Sequence, residues 1–174
     1  MDADAPLTAG VVLGDAALRD FAARTPTLWL TDVTRTHGLA HLAAIPRLVA
    51  INGAIEVDLF GQVNAERANG VIQAGAGGLP AFAQGALASD GGRLVIGLPS
   101  TARGGSVSRI VPALDARSLV TLPRHLADAV VTEYGVAELR GLSLAARAQA
   151  LIGIAAPDRR ASLADAWDGL CRNA

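Results

Sequence analysis

Short apolar runs alternate along this chain with helix-start signals, and that alternation restricts it to sheets with helices packed on them. The strongest run lies between Leu48 and Leu59. Leu48 to Ile51 is continuously apolar, and Ile55, Val57 and Leu59 then alternate with Glu56 and Asp58, which puts the two acids on the opposite face of a strand, solvated or hydrogen-bonded. Asn52-Gly53 between the two stretches reads as a hairpin or sharp bend. A hairpin inside an otherwise alternating pattern makes the sheet mixed. The expected fold is therefore α/β, a mixed sheet flanked by helices, in a single domain over residues 1–174. That length falls within the ~100 to 200 residues common for one domain.

Around this centre the same two signals repeat. The opening run TAGVVLG precedes Asp15, which is placed to cap a helix with Leu18, Phe21 and Ala22 on one face. Thr27 to Val33 reads as a strand and Thr34 to Pro46 as a connection. Pro80 suits the first turn of a helix running to about Ala88, and Arg93 to Leu98, Val107 to Leu114 and Ala129 to Thr132 read as strands. A helix is expected from about Arg124 and another after Ser143, with Leu144, Leu151 and Ile152 on one face. Ser162 and Asp165 have the spacing of a capping box ahead of a last helix carrying Leu163, Trp167 and Leu170.

Composition removes several function classes. With 51% apolar and 18% charged residues, the chain has the makeup of a globular core rather than a disordered segment. A formal charge of −1 supplies no field for a phosphate backbone or an anionic bilayer, so neither nucleic acid nor membrane is an expected partner. All 15 basic residues are arginine, which excludes a lysine Schiff base. The lone Cys171 excludes an internal disulfide and a cysteine metal cluster, in keeping with a reducing cytoplasm. MDADAPLTAG carries no secretory signal. The uncharged stretch from Ala68 to Ser89 is too rich in glycine and amides for a lipid-facing helix.

Gly75, Gly77 and Gly78 precede the expected helix N-terminus, where backbone N–H groups can face an anion or an oxyanion. A tight turn that needs glycine explains the same residues. The dinucleotide pattern G-x-G-x-x-G fails because Pro80 occupies its sixth position. Glu133, set among apolar residues in TEYG, is a candidate acid–base carboxylate with a raised pKa, or the partner of an arginine. His37, His41 and His125 show no metal-ligand spacing and read as surface residues; no metal is expected. Ser106 and Ser108, close to Arg103 and Arg109, either touch a phosphate or close their loop.

Five segments occur in order: INGAIEVDLFGQVNAE, GAGGLPAF, LPSTARGGSVSRIVP, VTEYGVAELRG and ARAQALIGIAAPDRR. Together they resemble the C-terminal domain of the acetyl-CoA hydrolase/transferase family, which includes 4-hydroxybutyrate and succinyl-CoA:acetate CoA-transferases. The likeness implies a class I CoA-transferase-like fold, cytoplasmic acetate metabolism, and transfer of coenzyme A between small carboxylic acids or hydrolysis of an acyl-CoA. In such enzymes a glutamate attacks the thioester and forms an acyl-glutamyl anhydride, which is then converted into a glutamyl-CoA thioester. Backbone N–H groups of the glycine loop would stabilise the oxyanions.

The resemblance implies that coenzyme A contacts fall on Ile55, on Ala74, on the loop Gly75, Gly77 and Gly78, and on Arg103. Ala74 stands where an asparagine can occur, Arg103 where a lysine is usual, and Ala81 where an aspartate commonly precedes the phenylalanine. The family's catalytic glutamate lies in a GIHSEM-like segment upstream of INGAIEVDL, and no residue here matches it. The expectation is an inactive isolated chain that works with a separate N-terminal half, or a homo-oligomer. The alternative is a noncatalytic coenzyme A-binding or assembly module.

Overall fold

A computed structural model describes residues 6–172. After β1 (Leu7–Ala9), the Asp15 carboxylate accepts the Leu18 N–H at 2.9 Å and caps α1 (Ala16–Arg24). β2 (Leu28–Leu30) lies parallel to β1. It is shorter than the expected strand because Asp32 collects the N–H groups of Thr34 and Arg35 and turns the chain into α2 (Val33–Thr36). α3 (Leu39–Ala43) follows. Then come β3 (Val49–Gly53), β4 (Glu56–Asp58) and β5 (Val63–Asn64). β6 (Arg67–Ala68) and β7 (Val71–Ile72) form a small hairpin. α4 (Leu79–Ala88) carries Pro80 in its first turn and ends at the expected Ala88.

β8 (Arg93–Gly97) leads to the antiparallel pair β9 (Thr101–Ala102) and β10 (Val107–Ser108), then β11 (Ile110–Val111). β12 (Ala129–Thr132) and β13 (Gly135–Glu138) precede α5 (Leu144–Gly153), capped by Ser143 as expected. A short 3-10 turn at Pro157–Arg159 runs into α6 (Arg160–Arg172).

The main sheet has the order β13-β12-β8-β3. Its three parallel strands and antiparallel β13 make it mixed, as expected, but the antiparallel pair is β12–β13 and not a hairpin at Asn52-Gly53. A second sheet, β11-β4-β5, joins parallel and antiparallel pairs. α4 packs on β3 and β8, and α5 on β13, so Ala50, Leu94, Ile96, Val130 and Ala137 are buried with Leu79, Ala83 and Leu151. Edge-to-face packing of Phe60 on Trp167, with ring centres 5.3 Å apart, brings α6 into the same core.

Three local expectations are corrected. Asn52-Gly53 makes no hairpin: it continues β3, paired with Ile96 and Gly97, and β3 and β4 belong to different sheets. The helix expected from Arg124 is a single turn, and the Arg124 carbonyl is taken instead by the Arg147 guanidinium at 2.7 Å. Ser162 is no N-cap, since the 3-10 turn opened by Pro157 starts the helix earlier and the Ser162 hydroxyl donates back to the Arg159 carbonyl at 2.9 Å.

Candidate functional site

An open cleft of about 400 Å³ lies between the start of β4, the β6–β7 hairpin and the β9–β10 loop. Ile55, Glu56, Asn69, Gln73, Arg103 and Arg109 line it. The hairpin is set by Asn69 and Gly70, which take φ of 51° and 80°, the two left-handed positions of a two-residue turn. Arg67 Nε donates to the Gly70 carbonyl at 2.9 Å and holds the turn closed. In the other loop Arg103, Gly104 and Gly105 are all left-handed, with φ of 51°, 64° and 92°. Glycine tolerates this and arginine does not, so Arg103 carries local backbone strain. The Ser106 hydroxyl donates to the Arg103 carbonyl at 2.9 Å, and Arg159 Nη2 to the Gly105 carbonyl at 3.0 Å. Ser106 therefore closes the loop, while Ser108 lines the cleft and donates to the Ile110 carbonyl at 2.7 Å.

Among the described residues the exposed Arg103 guanidinium has no hydrogen-bond or ion-pair partner. Beside it, Arg109 Nη1 donates to the Ala54 carbonyl at 3.3 Å, but its buried Nε is unpaired. The one carboxylate on the cleft wall is engaged: Glu56 Oε1 accepts from Asn64 Nδ2 at 2.9 Å and from the Ser118 hydroxyl. A cleft with two guanidinium groups and a bound carboxylate suits an anionic ligand.

Asp58, read from alternation as on the same face as Glu56, is fully buried. Its carboxylate takes the N–H groups of Phe60, Gln62 and Leu114 and the Gln62 side-chain amide, which ties the β4–β5 turn to the segment after β11. Glu133 pairs with neither an arginine nor an apolar pocket. It accepts from the Ser100 hydroxyl at 2.7 Å and N–H at 2.8 Å, and those bonds hold its carboxyl below the usual range rather than above it.

The glycine loop sits apart from this cleft. Gly75 is exposed, and Ala74 follows Gln73, both N–H groups reaching the Glu66 carbonyl at 3.3 and 2.7 Å respectively. Gly77 has φ of 56°, and Gly78 is the N-cap of α4, with no side chain capping the helix. A Cβ on Gly78 would come within 2.5 Å of His37 Nε2, so this glycine is required by close approach. His37 is half-buried rather than on the surface. Its Nδ1 lies 2.7 Å from the Thr36 hydroxyl, and its ring meets Phe82 edge to face at 5.0 Å. The predicted residues thus fall into two places: Ile55 and Arg103 share the cleft, whereas Gly77 and Gly78 line a cavity with His37, the Gln73–Gly78 segment connecting them. No three His, Cys, Asp or Glu side chains among the described residues are placed to hold a metal ion, and no described helix is long and apolar enough to cross a membrane.

The sequence does not mark Asn69 or Gln73 as site residues and reads His37 as a surface residue, because a hairpin and a helix pair bring them in from a distance. The Asn69-Gly70 dipeptide is a readable turn signal that marks the hairpin.

A family profile described as the acetyl-CoA hydrolase/transferase C-terminal domain matches residues 14–167. The chain belongs to this family. It is 42% identical over 152 residues to the 4-hydroxybutyrate coenzyme A transferase of Clostridium kluyveri, covering 87% of this chain and 35% of that protein. It is likewise 42% identical over 154 residues to the butyryl-CoA:acetate CoA-transferase of Anaerostipes caccae, covering 86% and 34%. The crystal structure of RipA from Yersinia pestis superposes with a TM-score of 0.82 at 35% identity, over 91% of this chain and 36% of that one. This acetyl-CoA hydrolase/transferase domain therefore spans about a third of the length of the curated relatives it matches.

Proposed function

We propose that this chain provides the coenzyme A-holding part of a CoA-transferase or acyl-CoA hydrolase site acting on small carboxylic acids. The carrying observation is the cleft that unites Ile55 with the unpaired guanidinium of Arg103. A guanidinium lining an open, anion-suited cleft would pair with a phosphate of the cofactor, and Ala74, Gly75, Gly77 and Gly78 would extend the contact toward the helix N-terminus. The N–H groups there would serve the thioester oxygen as it gains charge. Family membership and the names of the relatives supply the substrate class.

The attacking carboxylate would come from the upstream portion that full-length relatives carry, as a separate subunit or in another arrangement. Glu133 is tied to Ser100, and Glu56 Oε1 to Asn64 and Ser118, which supports reading this chain alone as a coenzyme A-binding unit without turnover. Calorimetry with coenzyme A tests the binding: Arg103→Ala should raise Kd tenfold or more, the ~1.5 to 3 kcal/mol of a charge-assisted contact. Equal Kd values for the two proteins would discard the assignment. Incubation of the chain with acetyl-CoA and acetate should give no turnover. Turnover abolished by Glu56→Gln, with a hydroxylamine-trapped thioester on that residue, would instead make Glu56 the nucleophile.

A further inference from the structure

The main sheet stops at β3, although β3 does not look like a natural edge. In register with β8, the Arg93 N–H bonds the Leu48 carbonyl at 2.8 Å. Alternation then directs the backbone groups of Leu48, Ala50 and Asn52 toward β8, and the N–H and C=O of Val49 and Ile51 away from it. No strand among the described residues pairs with that outer side. Its side chains are apolar and open, with Val49 55% and Ile51 75% exposed. Natural sheets blunt free edges with charges, proline or bulges, and β3 has none of these.

β3 borders a groove, which Leu94 of β8 and Leu79 of α4 also line. Leu48 to Asn52 line a cavity of about 360 Å³ whose other walls include His37, Gly78 and Phe82. The same three residues line a second cavity of about 660 Å³, walled by Thr8, Gly10 and Val11 at the end of β1. The two cavities share these three walls, so β3 and the end of β1 border adjoining spaces; β1 pairs with β2 and β3 with β8, and neither pairs with the other. Parallel strands of α/β sheets are covered on both faces, and a free apolar edge is a template for pairing.

We infer that the groove is a slot for one added β-strand, which pairs with Val49 and Ile51 and joins the β1–β2 pair to the main sheet. The occupant is an extended, largely apolar segment from the upstream portion of the family's full-length proteins, of which this chain spans about a third. The apolar rim of Val49, Ile51 and Val11 calls for apolar side chains, and the backbone of β3 supplies the affinity, as in strand addition generally. This goes beyond the coenzyme A reading and does not depend on it.

Amide hydrogen exchange on the chain alone tests the open edge. Val49 and Ile51 should exchange at least tenfold faster than Ala50 and Asn52. Equal protection, with light scattering showing a monomer or a dimer, would mean the edge is already occupied by this chain or by a second copy, and would overturn the inference. The chain is then co-expressed with the upstream two-thirds of the Clostridium kluyveri 4-hydroxybutyrate coenzyme A transferase. The two should co-purify and slow exchange at Val49 and Ile51. Ile51→Pro, which removes an N–H only from the outer side, should abolish association while leaving coenzyme A binding by calorimetry unchanged. Absence of co-purification, association that leaves those two amides fast, or association indifferent to Ile51→Pro would each overturn the slot. Loss of coenzyme A binding in wild type with the slot intact would count against the proposed function alone.

Discussion

Residues 6–47 and residues 48–172 are built on the same strand–helix alternation but are stabilised very differently. In the second region Val57 and Asp58 bury opposite faces of β4, and α4 and α5 close over the main sheet. In the first, α1 has no buried residue, Phe21 is 58% exposed, and the only buried hydrophobic residue is Leu42. Leu42 sits against α4 at Gly85, where a Cβ would come within 2.5 Å of the Leu42 Cβ. A mid-helix glycine costs about 0.5 to 1 kcal/mol relative to alanine, so its place here is explained by that approach. Ser89 adds a second tether, its hydroxyl donating to the Ile45 carbonyl at 2.6 Å and accepting the Leu48 N–H at 3.1 Å. Amphipathic pattern alone therefore does not measure stability: α1 has its capping residue and its apolar stripe, but no described surface covers the stripe.

Substitutions can widen or collapse this contrast. The largest effect is expected at Leu151, fully buried in the second region: Leu151→Ala should cost ~2 to 5 kcal/mol in urea unfolding. Next is Asp128, whose carboxylate accepts the buried Leu94 N–H at 2.9 Å and Arg140 Nη2 at 2.6 Å. Asp128→Ala strands that N–H and should cost ~1 to 3 kcal/mol. Burial pushes the Asp128 carboxyl up, but Arg140 and the Leu94 N–H outweigh it and hold the group below its ordinary value. Its stabilisation is therefore complete above the unfolded-state value and is lost as pH falls through the lowered folded value. The gap between wild type and Asp128→Asn should narrow on acidification, and a gap independent of pH would refute this.

Gly85→Ala should cost ~1 to 3 kcal/mol by forcing Leu42 away, and it should release Leu42 and Ile45 to proteolysis while leaving β8 and β12 protected. The smallest effect is expected in α1. Phe21→Ser should change stability by no more than about 0.5 kcal/mol, yet reduce self-association measured by light scattering, because it removes an uncovered apolar group. A loss like that of Leu151→Ala would show that the first region has a core of its own.

How much of this the sequence disclosed depended on whether the deciding interaction was local. Asp15, Pro80 and Ser143 act within a turn of their own helices, and all three were readable. Of the two Asn-Gly pairs, the one at Asn69 forms the turn and the one at Asn52 does not. Asn52-Gly53 is held extended by Ile96 and Gly97, distant partners that no local pattern names. The same limit applies at the cleft. The five motifs name Ile55 and Arg103, which line the same cleft. His37 looked unremarkable because its neighbour Gly78 is far away in the chain, and Glu133 looked buried because its apolar flanks belong to β12 and β13 while it faces Ser100.

Under the proposed coenzyme A assignment, the left-handed backbone at Arg103 sets two selective pressures against each other. Glycine would relieve strain of the order of 1 kcal/mol there, so variation screened for folding alone should drift toward glycine or asparagine at this position. A screen for retention on immobilised coenzyme A should instead keep arginine or lysine. Deep sequencing of one position-103 library under both screens would then record, as a difference in allele frequency, how much stability the loop gives up to hold a positive charge over the cleft.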